Sequence, residues 1–178
     1  MNALISLHNK LFGLIERMSG VLLPTLARFG FAAVLLVYFW KSALTKLGPG
    51  ITGFLFPSDG AYVQIFPKAM EAVSYDSSQL GMSYYLIATA GMWAEFLLPL
   101  LIVIGLFSRL ASIGMIGFIV VQSLTDVYAL GAKPGAWFDA NSGSLIMDQR
   151  LLWITLLVTI IVKGAGPLSV DRLLGRLN

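Results

Sequence analysis

Read for hydrophobicity alone, the chain divides into four long apolar stretches: Leu22–Leu44, Tyr84–Phe107, Leu110–Leu130 and Ser144–Ala165. A helix that crosses a bilayer needs about 20 residues, so each stretch predicts one span. The second stretch contains one charge, Glu95, and the third contains one, Asp126. The fourth has only a short uncharged core, Leu151–Val162. At ~1.5 Å per residue that core covers about 18 Å of a hydrocarbon layer about 30 Å thick. Arg150 and Lys163 are therefore expected inside the membrane's depth, snorkelling or paired.

The segments between these stretches have patterns of their own. Leu4, Leu7, Leu11, Leu14 or Ile15, and Met18 recur at helical spacing, with Ser6, Asn9, Lys10, Gly13 and Arg17 on the other side. This predicts an amphipathic helix over residues 1–20, lying at the interface. His8, Lys10, Glu16 and Arg17 interrupt the region where a signal peptide would carry its apolar core, so no cleavage is expected. The connection Gly48–Ser83 contains AYVQIFPKAMEAV, with Ile65, Ala69, Met70 and Val73 at helical spacing. It reads either as a short helix on the mouth of the bundle or as an interfacial loop. The connection GAKPGAWFDANSGS is rich in turn formers. FSRL, between the second and third stretches, is so short that those two spans must form an antiparallel hairpin.

Composition agrees with the pattern. Apolar residues make up 57% of the 178 positions and charged residues 12%, against about 25% charged in a soluble domain. The mean hydropathy is +0.83. A soluble globule of this size could not bury that surface, and a disordered chain would not carry it. There is no cysteine and one histidine, His8. Disulfides, iron–sulfur clusters, thiolate zinc and a bis-histidine haem within one chain are thereby excluded. No metal site, phosphate loop or nucleophile triad is expected. The net charge of +3 reports topology rather than nucleic-acid binding. With both termini cytoplasmic, Lys10, Arg17, Arg28, Arg109, Lys163, Arg172 and Arg176 fall on the inner side against only Glu16 and Asp171, as the positive-inside rule requires.

Charges in the spans need a reason, because burying them in a bilayer is costly. Lys41 lies thirteen residues beyond Arg28, Glu95 fourteen before Arg109, Gln122 thirteen after Arg109, and Arg150 thirteen before Lys163. Helical rise puts all four about 20 Å above their basic anchors. Asp126 lies one turn beyond Gln122 on the same face. The expectation is one polar cluster in the outer half of the bundle, with Glu95 paired to Lys41 or Arg150. Pro99 should free the carbonyl of Glu95 toward that cluster. Three readings of these charges compete: ion pairs that fix helix register, a substrate or proton site, and isolated snorkelling groups. Trp40, Trp93 and Trp153 are candidate walls for a quinone ring, or simply an interfacial belt. Gly114 and Gly117, with Ala111, read as close helix packing. Ser169 reads as the N-cap of a terminal interfacial helix with Asp171 in its first turn.

Arg28 followed by YFWKSALTKL, Glu95 followed by LLPLLIVIGLFSRLAS, and the tail GAGPLSVDRLL together resemble the DoxX family of small four-helix membrane proteins. The likeness runs from Pro24 to Leu174. It implies an all-α integral membrane bundle of four transmembrane helices, a single domain over residues 1–178, in a bacterial inner membrane. The family takes its name from a subunit of a thiosulfate:quinone oxidoreductase. Two function classes follow. One is the membrane subunit of an oxidoreductase system that handles quinone or a small redox substrate near Glu95, with no covalently bound cofactor and a protein partner that supplies the redox centre. The other is a non-catalytic anchor or assembly factor. Substrate, partner and oligomeric state, including a homo-oligomer, stay open.

Overall fold

The computed structural model describes residues 2–175, and for Asn2 and Ala3 the backbone alone. Met1 and the basic residue Arg176 lie outside the described residues. The chain is helical, and among the described residues the only β-type pairing is the isolated bridge between Leu47 and Pro57.

Among the described residues four helices are long and apolar enough to cross a membrane: Leu4–Leu44, Met82–Ile104, Ser108–Tyr128 and Leu145–Lys163. The first comprises α1 (Asn2–Phe31), a π-helical segment (Ala32–Leu36) and α2 (Val37–Leu44). It is unbroken across residues 19–22, where the sequence predicts an end to one helix and the start of another. The described side chains before Pro24 are almost all exposed.

The π segment follows from the burial pattern. Ala27, Phe31, Leu35, Phe39 and Ala43 are buried, one in every four residues. An α-helix turns 3.6 residues per cycle, so such a stripe would drift about 40° per step. One wider turn brings it back toward the core.

The other spans obey the usual alternation of three and four. In α5 (Met82–Ile104) the buried residues are Ala88, Met92, Glu95, Pro99 and Ile102. In α6 (Ser108–Tyr128) Ser108, Ala111, Ser112, Met115 and Ile119 are buried. In α7 (Arg150–Lys163), which continues a π segment Leu145–Gln149, they are Arg150, Trp153, Leu157 and Ile160. These stripes meet in one core around Phe31, Phe39, Met115 and Leu157. Glu95 and Arg150 occupy stripe positions that apolar side chains would otherwise fill.

The long connection holds two short helices, α3 (Asp59–Ile65) and α4 (Pro67–Ala72). Pro67 at the first position of α4 divides the stretch that the sequence pattern reads either as one short helix or as an interfacial loop. Tyr62 and Met70 pack on Ala88 of α5 with Ile65 and Val73 around them, a second, smaller core. The chain closes with α8 (Val170–Leu173), whose N-cap Ser169 accepts from the Arg172 amide, as its sequence position predicts.

Candidate functional site

Two groups of charged residues lie inside the bundle, one at each end. The end carrying Arg28, Arg109, Lys163 and Arg172 is called the basic end. The end carrying residues 45–81 and 129–144 is called the loop end.

At the basic end the charges are spent on backbone. The α5–α6 hairpin turns through Gly105, whose φ is 76°. A Cβ there would lie 2.5 Å from Ser169 Cβ, so glycine is required both by the left-handed turn and by the close tail. The Arg28 guanidinium donates to the carbonyls of Ile102 and Val103 at the end of α5, and to those of Ala165 and Leu168 in the tail. Asp171 is buried. Its carboxylate accepts from the amides of Phe107 at 2.8 Å and Ser108 at 3.1 Å, and from Ser108 Oγ at 3.2 Å. Its own amide donates to Gly105 O at 2.8 Å. Asp171 thus caps the N-terminus of α6, where a helix dipole favours an anion. The cation serves carbonyls and the anion serves amides. This arrangement joins three spans and the tail.

Near the loop end, the side chains pair with one another. Lys46 Nζ lies 2.9 Å from Glu95 Oε2 and 3.1 Å from Oε1, with side-chain exposures of 6% and 3%. Ser42 Oγ donates to Glu95 Oε1 at 3.0 Å and accepts from Lys46 Nζ at 2.8 Å. This triad corrects the expected partnership. Glu95 pairs with Lys46, not with Lys41 or Arg150. Lys41 is exposed and takes part in neither ion pair. It lies two residues from both buried Phe39 and buried Ala43, about 200° round the helix from each. Helical rise gave the right level and the wrong face. Ser42 and Lys46, four residues apart, share the face that meets α5.

The second pair joins Arg150 of α7 to Asp126 of α6, and Arg150 Nη1 also donates to Ser123 Oγ at 2.7 Å. Gln122 Nε2 donates to Tyr38 Oη at 3.2 Å. Gln122 Oε1 and Arg150 Nε are buried without a hydrogen-bond partner among the described residues. Four spanning helices therefore do contribute polar groups to the interior, but as two separate ion pairs: Asp126–Arg150 toward the loop end, and Glu95–Lys46 near the middle of α5.

A cavity of about 460 Å³ connects these groups. Glu95, Lys46 and Ser42 lie on its wall together with Gln122, Thr125 and Asp126. Ala90, Gly91 and Ala94 line it from α5, and Gly114, Gly117 and Val121 from α6. Small residues on both faces leave this space. Gly114 is close-packed as expected, since a Cβ would lie 3.2 Å from Leu98 Cδ2. Gly117 corrects the packing expectation. A Cβ there meets nothing within 4 Å, so it widens the cavity instead of closing a helix contact. Gln64 and Ile65 of α3 reach the same space, and Ile87, Val121 and Leu130 along it are exposed on the side of the bundle. The volume is that of an ordinary small-molecule site, apolar with a few convergent polar groups. A larger hollow, about 760 Å³, runs beside Ile5–Arg17, but a single helix lines it and nothing encloses it.

The three candidate tryptophans stand outside this cavity. The Trp40 indole donates to Phe96 O at 3.1 Å and Trp93 to Phe54 O at 3.0 Å. Trp153 is buried against Tyr38 and Phe39, with ring centres 5.4 and 6.1 Å away. Phe118 is the aromatic residue on the cavity wall. Beside Pro99 the indole bond goes to Phe96 O, one residue along from the carbonyl that the proline frees. Among the described residues no group of three His, Cys, Asp or Glu side chains could hold a metal ion.

The chain matches no family model, no curated protein and no solved structure.

Proposed function

We propose that the cavity between α5 and α6 is the ligand site of a DoxX-like inner-membrane protein, the membrane subunit of an oxidoreductase system. The ligand is a quinone or a similarly small, lipid-soluble redox molecule. It enters sideways from the bilayer past Ile87 and Val121 and meets the Glu95–Lys46 pair with its polar end. Electrons come from a protein partner, because the chain offers no thiol and no metal cluster among its described residues. The observation that carries this reading is the coincidence of a buried, hydrogen-bonded ion pair with an open apolar cavity. A pair needed only to fix helix register would gain nothing from a void beside it, since empty space costs packing energy.

In this reading both termini are cytoplasmic, so the basic end faces inward. A helix of 41 residues is about 60 Å long, twice the hydrocarbon thickness. Because that helix is unbroken, its excess, the amphipathic stretch Leu4–Ser19, continues past the hydrocarbon on the inner side, and α8 sits at the inner interface. Reporter fusions at Asn178 and within residues 48–83 should report opposite sides.

The direct test is binding. Wild-type protein in lipid nanodiscs is titrated with a short-tailed benzoquinone while its tryptophan fluorescence is followed. Saturable quenching is expected, and it should vanish in a Glu95→Gln, Lys46→Met double variant that still folds. Undiminished quenching in that variant would leave the pair a structural element and return the protein to the class of anchors.

A further inference from the structure

We infer that the Gly48–Pro57 loop is re-entrant: it folds back into the bilayer leaflet on the loop side, and the partner of its exposed face is lipid hydrocarbon.

The placement comes from α5. Trp93 is the middle residue of that 23-residue helix, eleven residues from each end. The helix is about 34 Å long and the hydrocarbon layer about 30 Å thick, so Trp93 lies near mid-membrane. Phe54 packs on Trp93 and Phe96, with ring centres 5.9 and 6.2 Å away, and accepts the Trp93 indole bond. An indole leans at most about one turn, ~5 Å, toward its helix N-terminus. The Phe54 carbonyl is then still about 10 Å below the outer end of α5. From there the loop climbs. Leu55 O accepts from Tyr85 Oη at 2.9 Å, and the Phe56 ring stands 6.5 Å from that of Tyr85.

The chemistry of the loop fits that depth. No charge occurs between Lys46 and Asp59. Ile51 is 93% exposed, and Leu55 and Phe56 are each 57% exposed. In water these side chains would form an unexplained apolar patch. Irregular backbone in hydrocarbon must satisfy its own polar groups, and here much of it does. Gly48 N donates to Gly53 O, Gly53 N to Gly50 O, and both Leu55 N and Phe56 N to Thr52 O. Pro49 and Pro57 have no N–H to satisfy. The tight fold depends on Gly53, where a Cβ would lie 2.1 Å from Gly48 O. The neck of the loop is the Leu47–Pro57 bridge and the bond from Ser58 N to Lys46 O at 2.9 Å. Lys46 therefore sits at that neck, so the loop's seating in lipid also holds the cation on Glu95.

The absence of cysteine makes the test clean. Single variants Ile51→Cys and Leu55→Cys are spin-labelled in nanodiscs and compared for access to oxygen and to a water-soluble nickel chelate. Val158→Cys, exposed midway along α7, is the lipid reference. Lys68→Cys, exposed on α4, is the aqueous reference. Ile51 is almost fully exposed, so its replacement leaves the packing alone. Labels at both positions should match Val158 within about twofold, with oxygen favoured over nickel. Labels that match Lys68, or that sit at the interface with both reagents accessible, would overturn the proposal.

Discussion

The two ends of the bundle use charge in opposite ways. At the basic end, Arg28 and Asp171 each bond to backbone from other segments, and the space between helices is closed by Gly105 and the tail. Farther from that end, Glu95–Lys46 and Asp126–Arg150 pair side chain to side chain beside a cavity, and beside these pairs Gln122 Oε1 and Arg150 Nε are without partners among the described residues. Each end holds buried charge, Asp171 at one and Glu95, Lys46 and Arg150 at the other, with Arg28 and Asp126 half-buried, so burial alone does not separate structure from function. What separates them is where the hydrogen bonds go. Charges committed to helix ends are used up in holding those ends. Charges committed to each other can exchange a partner with a ligand at modest cost, provided there is room beside them.

The contrast can be broken most forcefully at the ion pair. Lys46→Met should destabilise the protein by about 3–5 kcal/mol, because it strands a buried carboxylate. Adding Glu95→Gln should recover much of that loss in a detergent melting curve. A smaller loss, about 2–4 kcal/mol, is expected for Asp171→Ala. It leaves two amides at the start of α6 without an acceptor, each worth roughly 1–3 kcal/mol when buried. Ligand affinity in nanodiscs should stay within about twofold of wild type for this variant, because the defect lies at the other end. Ser123→Ala should cost least, about 1 kcal/mol, since Arg150 keeps Asp126 as a partner. A larger penalty there would mean that Ser123 carries more of the Arg150 site than its geometry indicates.

The four spans were legible because length and hydropathy fix a crossing helix almost by themselves. The first ends at Leu44 and the hairpin turns near Phe107, as the pattern predicts. Glu95, Asp126 and Arg150 were legible because a charge inside an apolar run stands out. Lys46 was not, because it lies just past the run, among residues that read as loop, and reaches back. A helical-face argument could have found it: Ser42 and Lys46 share a face next to buried Ala43, whereas Lys41 is on the other side. The role of Asp171 was half legible. Ser169 signals the start of α8, but the α6 terminus that Asp171 caps is 63 residues earlier, a distance no local pattern spans. The cavity itself left only one trace in the sequence, small residues on α5 and α6, and these read equally well as close packing.

Gly117 separates the cavity from everything that holds the bundle together. Its Cβ position is open and it lines the cavity, so a leucine there is expected to occupy that space. The decisive measurement is the benzoquinone titration of Gly117→Leu in nanodiscs, read beside its melting temperature. If the cavity is the ligand site, the variant melts within a few degrees of wild type and loses saturable quenching, its apparent affinity falling at least tenfold. Quenching that saturates at the same concentration in Gly117→Leu as in wild type would contradict the assignment.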